Sequence, residues 1–184
     1  MYVSVTPDNP SRFYQGDILD NFPFFIFTDT YNLLERGNGA GQYEIRKTAL
    51  LPVDQPEIIT AMPIRPHRAI LLSQTCDIQN NPTVIIAPVY SLDEVTADGR
   101  LKPGHLDLLR KRRGAMKDWF YLPPLEGVIG ESFVDFSTIH YFPKALMSGH
   151  LHSRVVGLSD WGRHLLDWAL GDYLGRPIED KYRF

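Results

Sequence analysis

Few residues in this chain have the chemistry to act as nucleophiles, bases or anion binders, and their spacing limits what they can do. Cys76 is the single cysteine, and it sits in the string Ser73-Gln74-Thr75-Cys76-Asp77. A thiolate nucleophile there needs its pKa lowered by a nearby cation or helix N-terminus, with a distant histidine as base. Asp77 next door pushes the thiol the other way. The same string also fits a small buried cysteine at a strand end, with Thr75 and Asp77 bonding the backbone of a turn. His67 and Arg68 follow Pro66 at the mouth of an apolar run. An imidazole with an ordinary pKa of about 6.5 can take a proton near neutrality. A guanidinium stays charged and serves better as a phosphate clamp than as a base. The bland alternative is that both side chains merely solvate the start of a strand. His150 and His152 are two apart, and His140 and Asp135 precede them, but this spacing matches no established metal-ligand pattern. We expect no metal and no cofactor. Arg110-Lys111-Arg112-Arg113, with Lys117 and then Trp119, Phe120 and Tyr121, is the strongest signal for a partner. Cations fanning round a helix end can follow a phosphate track, and rings beside them can stack unpaired bases. A solvated last turn, favoured by the helix dipole, explains the same cations. Phosphate-cradling glycine loops, a Gly-x-Ser-x-Gly elbow and a His-Glu-x-x-His pair are all missing.

The elements that must position these residues are mostly strands. Gly16 to Phe27 is aromatic and β-branched, with Pro23 marking an edge or bulge. Tyr43 to Leu51 reads as a strand, and the prolines at 52, 56, 63 and 66 forbid a regular central strand between. Ala69–Leu72 and Thr83–Tyr90 fit short buried strands, joined by a polar turn from Ser73 to Pro82. Residues 104–117 are helix-like, and 119–125 and 132–142 return to strand. The best helix comes last. Ser159 or Asp160 caps it, Trp161, Leu165 and Trp168 recur at helical spacing and should be mostly buried, and Gly175 and Pro177 end it. This order predicts an α+β fold, mainly β: a small barrel with helices packed on it.

Several short strings recur in the order seen in one family. They are Gly16-Asp17-Ile18, then Arg68-Ala69-Ile70-Leu71-Leu72-Ser73, then Ile86-Ala87-Pro88-Val89, and finally Val134 to Ile139 and Arg154-Val155-Val156-Gly157-Leu158-Ser159-Asp160 before the terminal helix. In this succession the chain resembles the PemK/MazF type of toxin, over roughly half its length. The resemblance implies an SH3-like, strongly bent antiparallel barrel with the C-terminal helix packed on it. It implies a single domain over 1–184, with insertions near 28–66 and 98–118. It also implies a metal-independent endoribonuclease, with chemistry at His67 or Arg68 and at Tyr90 or Ser91. The usual Arg-Pro pair is His67-Arg68 here and the usual Thr is Tyr90, and the departure at Tyr90 favours a non-catalytic module. Single-stranded RNA or a protein such as an antitoxin is the implied partner, and a homodimer the implied assembly. Two alternatives stay open: a non-catalytic binding module on the same barrel, and a cysteine-dependent enzyme using Cys76.

Composition bounds these readings. The 184 residues are 43% hydrophobic and 22% charged, enough to bury a core without staples. One cysteine excludes an internal disulfide. No apolar run reaches the roughly 18 residues of a membrane span, and the N-terminus does not read as a signal peptide, so a cytoplasmic protein is expected, and the resemblance implies a bacterial one of toxin–antitoxin or phage-defence type. The net charge of −3 is unevenly spread, with residues 61–118 alone positive, which makes the middle third the place for a phosphate-facing surface.

Overall fold

The computed structural model describes residues 2–3, 12–25, 31–36, 43–48, 60–61, 64–97, 99, 101–111 and 118–175. In chain order the elements are β1 (Tyr2–Val3), β2 (Ile18–Phe25), β3 (Tyr31–Arg36), β4 (Tyr43–Thr48), β5 (Thr60–Ala61), β6 (Ile64–Leu71), α1 (Thr75–Asn80), β7 (Thr83–Ser91), α2 (Leu92–Ala97), α3 (Pro103–Arg110), β8 (Trp119–Leu122), β9 (Ser132–Asp135), β10 (His140–Pro143), α4 (Lys144–Met147), β11 (Arg154–Leu158) and α5 (Asp160–Tyr173). Two compact units emerge, Met1–Phe22 with His67–Phe184, and Pro23–Pro66. The smaller unit holds an antiparallel sheet in the order β4-β3-β5, with Tyr31 opposite Thr48 and Arg36 opposite Tyr43.

The larger sheet runs β1-β11-β2-β6-β7-β9-β8, with β10 also on β7. Every pairing whose register is defined in it is antiparallel. The sheet curls until its ends meet. Tyr2, in the strand at one edge, donates its hydroxyl to the carbonyl of Pro123, one residue past the strand at the other edge, at 2.6 Å. The inward face buries Ile18, Ile70, Val89, Phe120, Leu122, Val134, Val156 and Leu158 in one cluster. These residues come from six different strands, as a barrel requires. Helix α5 covers it through Leu166, which is fully buried, with Leu165, Ala169 and Leu170 beside it. Ser159 starts that helix by accepting the Gly162 N–H at 3.1 Å, and Gly175 follows it with φ +67°. The fold is therefore α+β, a strongly bent antiparallel barrel with its C-terminal helix packed on it.

Three local expectations change. Ser73 to Pro82 is not a turn throughout, because Thr75–Asn80 is helical. Ile78 of that helix is buried, and the Gln15 N–H donates to the Thr75 hydroxyl, so packing and a distant backbone group hold the helix. Residues 132–142 are not one strand. Asp135 accepts from the N–H and hydroxyl of Ser137 and turns the chain through a 3-10 segment, Phe136–Thr138, before β10 resumes on β7. Trp161 is 52% exposed rather than buried, since the inward stripe of α5 runs through Leu165, Leu166, Ala169 and Leu170.

Candidate functional site

Three of the strings that carried the sequence resemblance, Gly16-Asp17-Ile18, Arg68 to Ser73 and Arg154 to Asp160, meet at one corner of the barrel. Gly16 has φ +81°, and a Cβ there would lie 2.9 Å from that of Leu158, so only glycine lets the chain cross β11 this closely. Asp17 is buried against Arg154, with Nη1 to Oδ2 at 2.9 Å and side-chain exposures of 7% and 5%. The same carboxylate oxygen accepts the Tyr14 N–H at 2.8 Å. Burial pushes the Asp17 carboxyl above its ordinary range, and the Tyr14 amide and Arg154 pull against it. Gly157 leaves room for it, since a Cβ there would approach Asp17 Oδ1 to 2.9 Å. Gln15 completes the corner, its amide donating to the Leu72 carbonyl at 3.1 Å and to Asp167 of α5 at 2.6 Å. These groups fix the ends of β2, β6 and β11 relative to one another.

His67 and Arg68 leave that frame on opposite faces of β6, as neighbours in a strand must. Arg68 stands across from Val89 in the antiparallel register, which puts His67 across from Tyr90. The His67 and Tyr90 rings touch edge to face, with centroids 5.6 Å apart. Tyr90 in turn pairs with Phe133, and Phe133 with Tyr121, so four rings run in a row across β6, β7, β9 and β8 on the outer face. The Trp119 ring leans on Phe133, tilted by 32° with centroids 4.3 Å apart. Helices α2 and α3 cover the Phe133 end through Leu92, Val95 and Leu109, while His67 and Tyr90 stay half-buried at the other. Arg68 belongs to the inward-facing row with Ile70 and Val89. Its guanidinium grips Asp20, Nε to Oδ1 at 2.6 Å and Nη2 to Oδ2 at 3.1 Å. Sequence reasoning overlooked Asp20, although it lies two residues from the core residue Ile18 and so on the same face of β2.

The basic cluster is partly spoken for. Arg110, at the end of α3, makes a bidentate bond to Glu131, with both N–O distances 2.7 Å. Tyr121 donates its hydroxyl to the same carboxylate at 2.6 Å. The Arg110 fork holds the Glu131 carboxyl below its usual range, and burial, then Glu131, pushes the Tyr121 phenol up to about 12. Lys111 is exposed, and Arg112, Arg113 and Lys117 lie outside the described residues. Cys76 is exposed on α1 rather than buried at a strand end, and its thiol meets the Gln74 amide oxygen at 3.9 Å. His150 sits in a 3-10 segment, Ser148–Ser153, against the rings of Phe22 and Phe142. Among the described residues no three His, Cys, Asp or Glu side chains cluster as metal ligands would, and no helix is long and apolar enough to cross a membrane.

No family model and no curated protein matches the chain. Among solved structures it is similar to an endoribonuclease from mycobacterial species, at 12% identity over 61% of this chain and 84% of that one, with a TM-score of 0.40. It is also similar to an endoribonuclease in complex with its cognate antitoxin, again from mycobacterial species, at 11% identity over 82% of this chain and 95% of that one, with a TM-score of 0.39.

Proposed function

We propose that this protein binds single-stranded RNA and cleaves it without a metal ion, with His67 and Tyr90 at the centre of the reaction. The observation that carries this reading is the ring contact between them. The resemblance of the sequence picks out His67 or Arg68 on one strand and Tyr90 or Ser91 on another, and in the register of β6 and β7 the His67 and Tyr90 rings lie opposite each other in edge-to-face contact. In the reaction a ribose 2′-oxygen attacks the adjacent phosphorus. A 2′,3′-cyclic phosphate forms as the bond to the 5′-oxygen breaks. His67 takes the proton of the 2′-hydroxyl, and the Tyr90 phenol gives one to the departing 5′-oxygen. In this reading Arg68, on the opposite face of β6 and gripped by Asp20, has no part in the step itself. A protein partner such as an antitoxin, self-pairing as a homodimer and a cytoplasmic setting go with this reading.

The test is incubation of the purified protein with mixed-sequence single-stranded RNA in excess chelator. The expected products carry a cyclic phosphate and a 5′-hydroxyl, and a 2′-deoxy substrate stays intact. His67→Ala and Tyr90→Phe should each slow cleavage by about 10²–10⁴-fold while leaving most of the affinity. Cleavage that survives both changes, or that needs added metal, overturns the reading.

A second reading, a binding module without catalysis, is favoured by one observation: Arg68 and Arg110 are both engaged by carboxylates, Asp20 and Glu131. Intact RNA together with salt-sensitive binding in the same assay selects it. The Cys76 reading gains nothing from the geometry, because the Gln74 amide beside the thiol is not a base.

A further inference from the structure

A groove of about 420 Å³, with neither His67 nor Tyr90 in its lining, opens between α1, the start of β7 and the α4 segment. Its floor is apolar and firm: Phe13, Ile78, Val84 and Met147 are all buried. Its rim carries Arg12 and Lys144, and no aspartate or glutamate lines it. Lys144 is anchored twice on the α1–β7 connection. Its backbone N–H donates to the Pro82 carbonyl at 2.8 Å, and its ammonium to the Gln79 carbonyl near the end of α1. Two of the three ammonium donors remain for something else. Arg12 is presented by the corner already described. Arg154, fixed by Asp17, donates to the Arg12 carbonyl at 2.6 Å and so holds the backbone that aims the exposed Arg12 side chain. Among the described residues the Arg12 guanidinium pairs with no carboxylate.

We propose that this groove is a binding site for a small organic anion with an apolar body, such as an aryl or alkyl carboxylate, sulfonate or phosphate. The volume falls within the range of about 300–1,000 Å³ typical of small-molecule sites. The apolar floor takes the body, since burying it removes hydrocarbon from water on both sides. Two cations on one rim, without a compensating acid, select the head. Hydrogen bonds between ions are shorter and stronger than neutral ones, and the Lys144 ammonium is held in place by the Gln79 carbonyl before the ligand arrives. The groove lies apart from the RNA reading and does not depend on it.

The probe is 8-anilinonaphthalene-1-sulfonate, compared with the uncharged N-phenyl-1-naphthylamine, which has the same rings. The sulfonate should bind the folded protein saturably at one site, and at least about tenfold more tightly than the neutral compound. In a methyl-resolved carbon–proton spectrum the resonances of Met147, Ile78 and Val84 should shift with it, and those of Leu166 and Val134 should not. Arg12→Met with Lys144→Met keeps the stems, removes the charges and should weaken the sulfonate by about tenfold or more without changing the neutral probe. Ser148→Trp, at an exposed position on the groove lining, should block both probes, and it serves if the charge variant does not fold. Equal affinity for the two probes, shifts centred on the barrel core, or binding that survives Ser148→Trp overturns the proposal.

Discussion

Asp17 shows how much a single side chain can hold. It is buried with Arg154 as its partner, so removing either one leaves an uncompensated charge in the interior. Arg154→Ala should cost about 3–5 kcal/mol in urea denaturation, which is the usual consequence of breaking a buried pair from one side. Gly157→Ala is the subtler test. The added methyl would press on Asp17 Oδ1, and overpacking of this kind costs about 1–3 kcal/mol. Glu131 gives a pH signature. Its folded-state pKa lies below its ordinary 4.5, so the stability it supplies is fully present above that value and is lost as pH falls through the lower one. The stability of the wild type should therefore decline more steeply from about pH 4.5 downward than that of Glu131→Gln, read from denaturant midpoints across the range. Parallel curves for the two proteins would mean that the Arg110 and Tyr121 bonds to Glu131 do not hold in solution.

At the scale of elements, α5 and α3 make different predictions. Helix α5 depends on its cap and on one buried leucine. Ser159→Ala should cost about 1 kcal/mol and Leu166→Ala about 2–5 kcal/mol, because the first removes an acceptor and the second opens a cavity in the barrel core. Helix α3 ends in the basic run, where Arg110 is tied to Glu131 and Lys111 is exposed. If Arg112 and Arg113 touch an RNA backbone, changing both to alanine should reduce the slope of log affinity against log salt by about one to one and a half units, whatever the RNA sequence. An unchanged slope would make the run a solvated helix end.

For the whole molecule, the closure of the sheet is the feature to test. Tyr2 and Pro123 join its two edges through one hydroxyl. Burial raises the Tyr2 pKa well above the ordinary tyrosine value, so this bond persists through the alkaline range in which exposed tyrosines ionise. Tyr2→Phe should cost about 0.5–1.5 kcal/mol, and amide exchange should quicken at β1 and β8 more than in β6 and β7 at the middle of the sheet.

The sequence by itself determined the type and order of the main strands and of the terminal helix, because alternation, proline placement and the Ser159 cap act over a few residues. Thus β6, β7, β8 and α5 could be located from local pattern, and Gly16-Asp17 and Arg154 to Asp160 could be marked as strings of note. It could not say that these two strings are halves of one interlock, since Asp17 and Arg154 come together only when β11 lies on β2. The same limit applies to the cations. Arg68 and Arg110 look available in the sequence, and only the strand register and the placing of α3 deliver Asp20 and Glu131 to them. Thr75–Asn80 reads as turn by composition and becomes helix because the core accepts Ile78. The pairing of His67 with Tyr90 lies between these cases. The residues were legible as candidates, but the pleat of β6 decided that His67 faces Tyr90 while Arg68 faces Asp20. A strand alternates its side chains absolutely, and which face is which depends on what the rest of the chain packs against it.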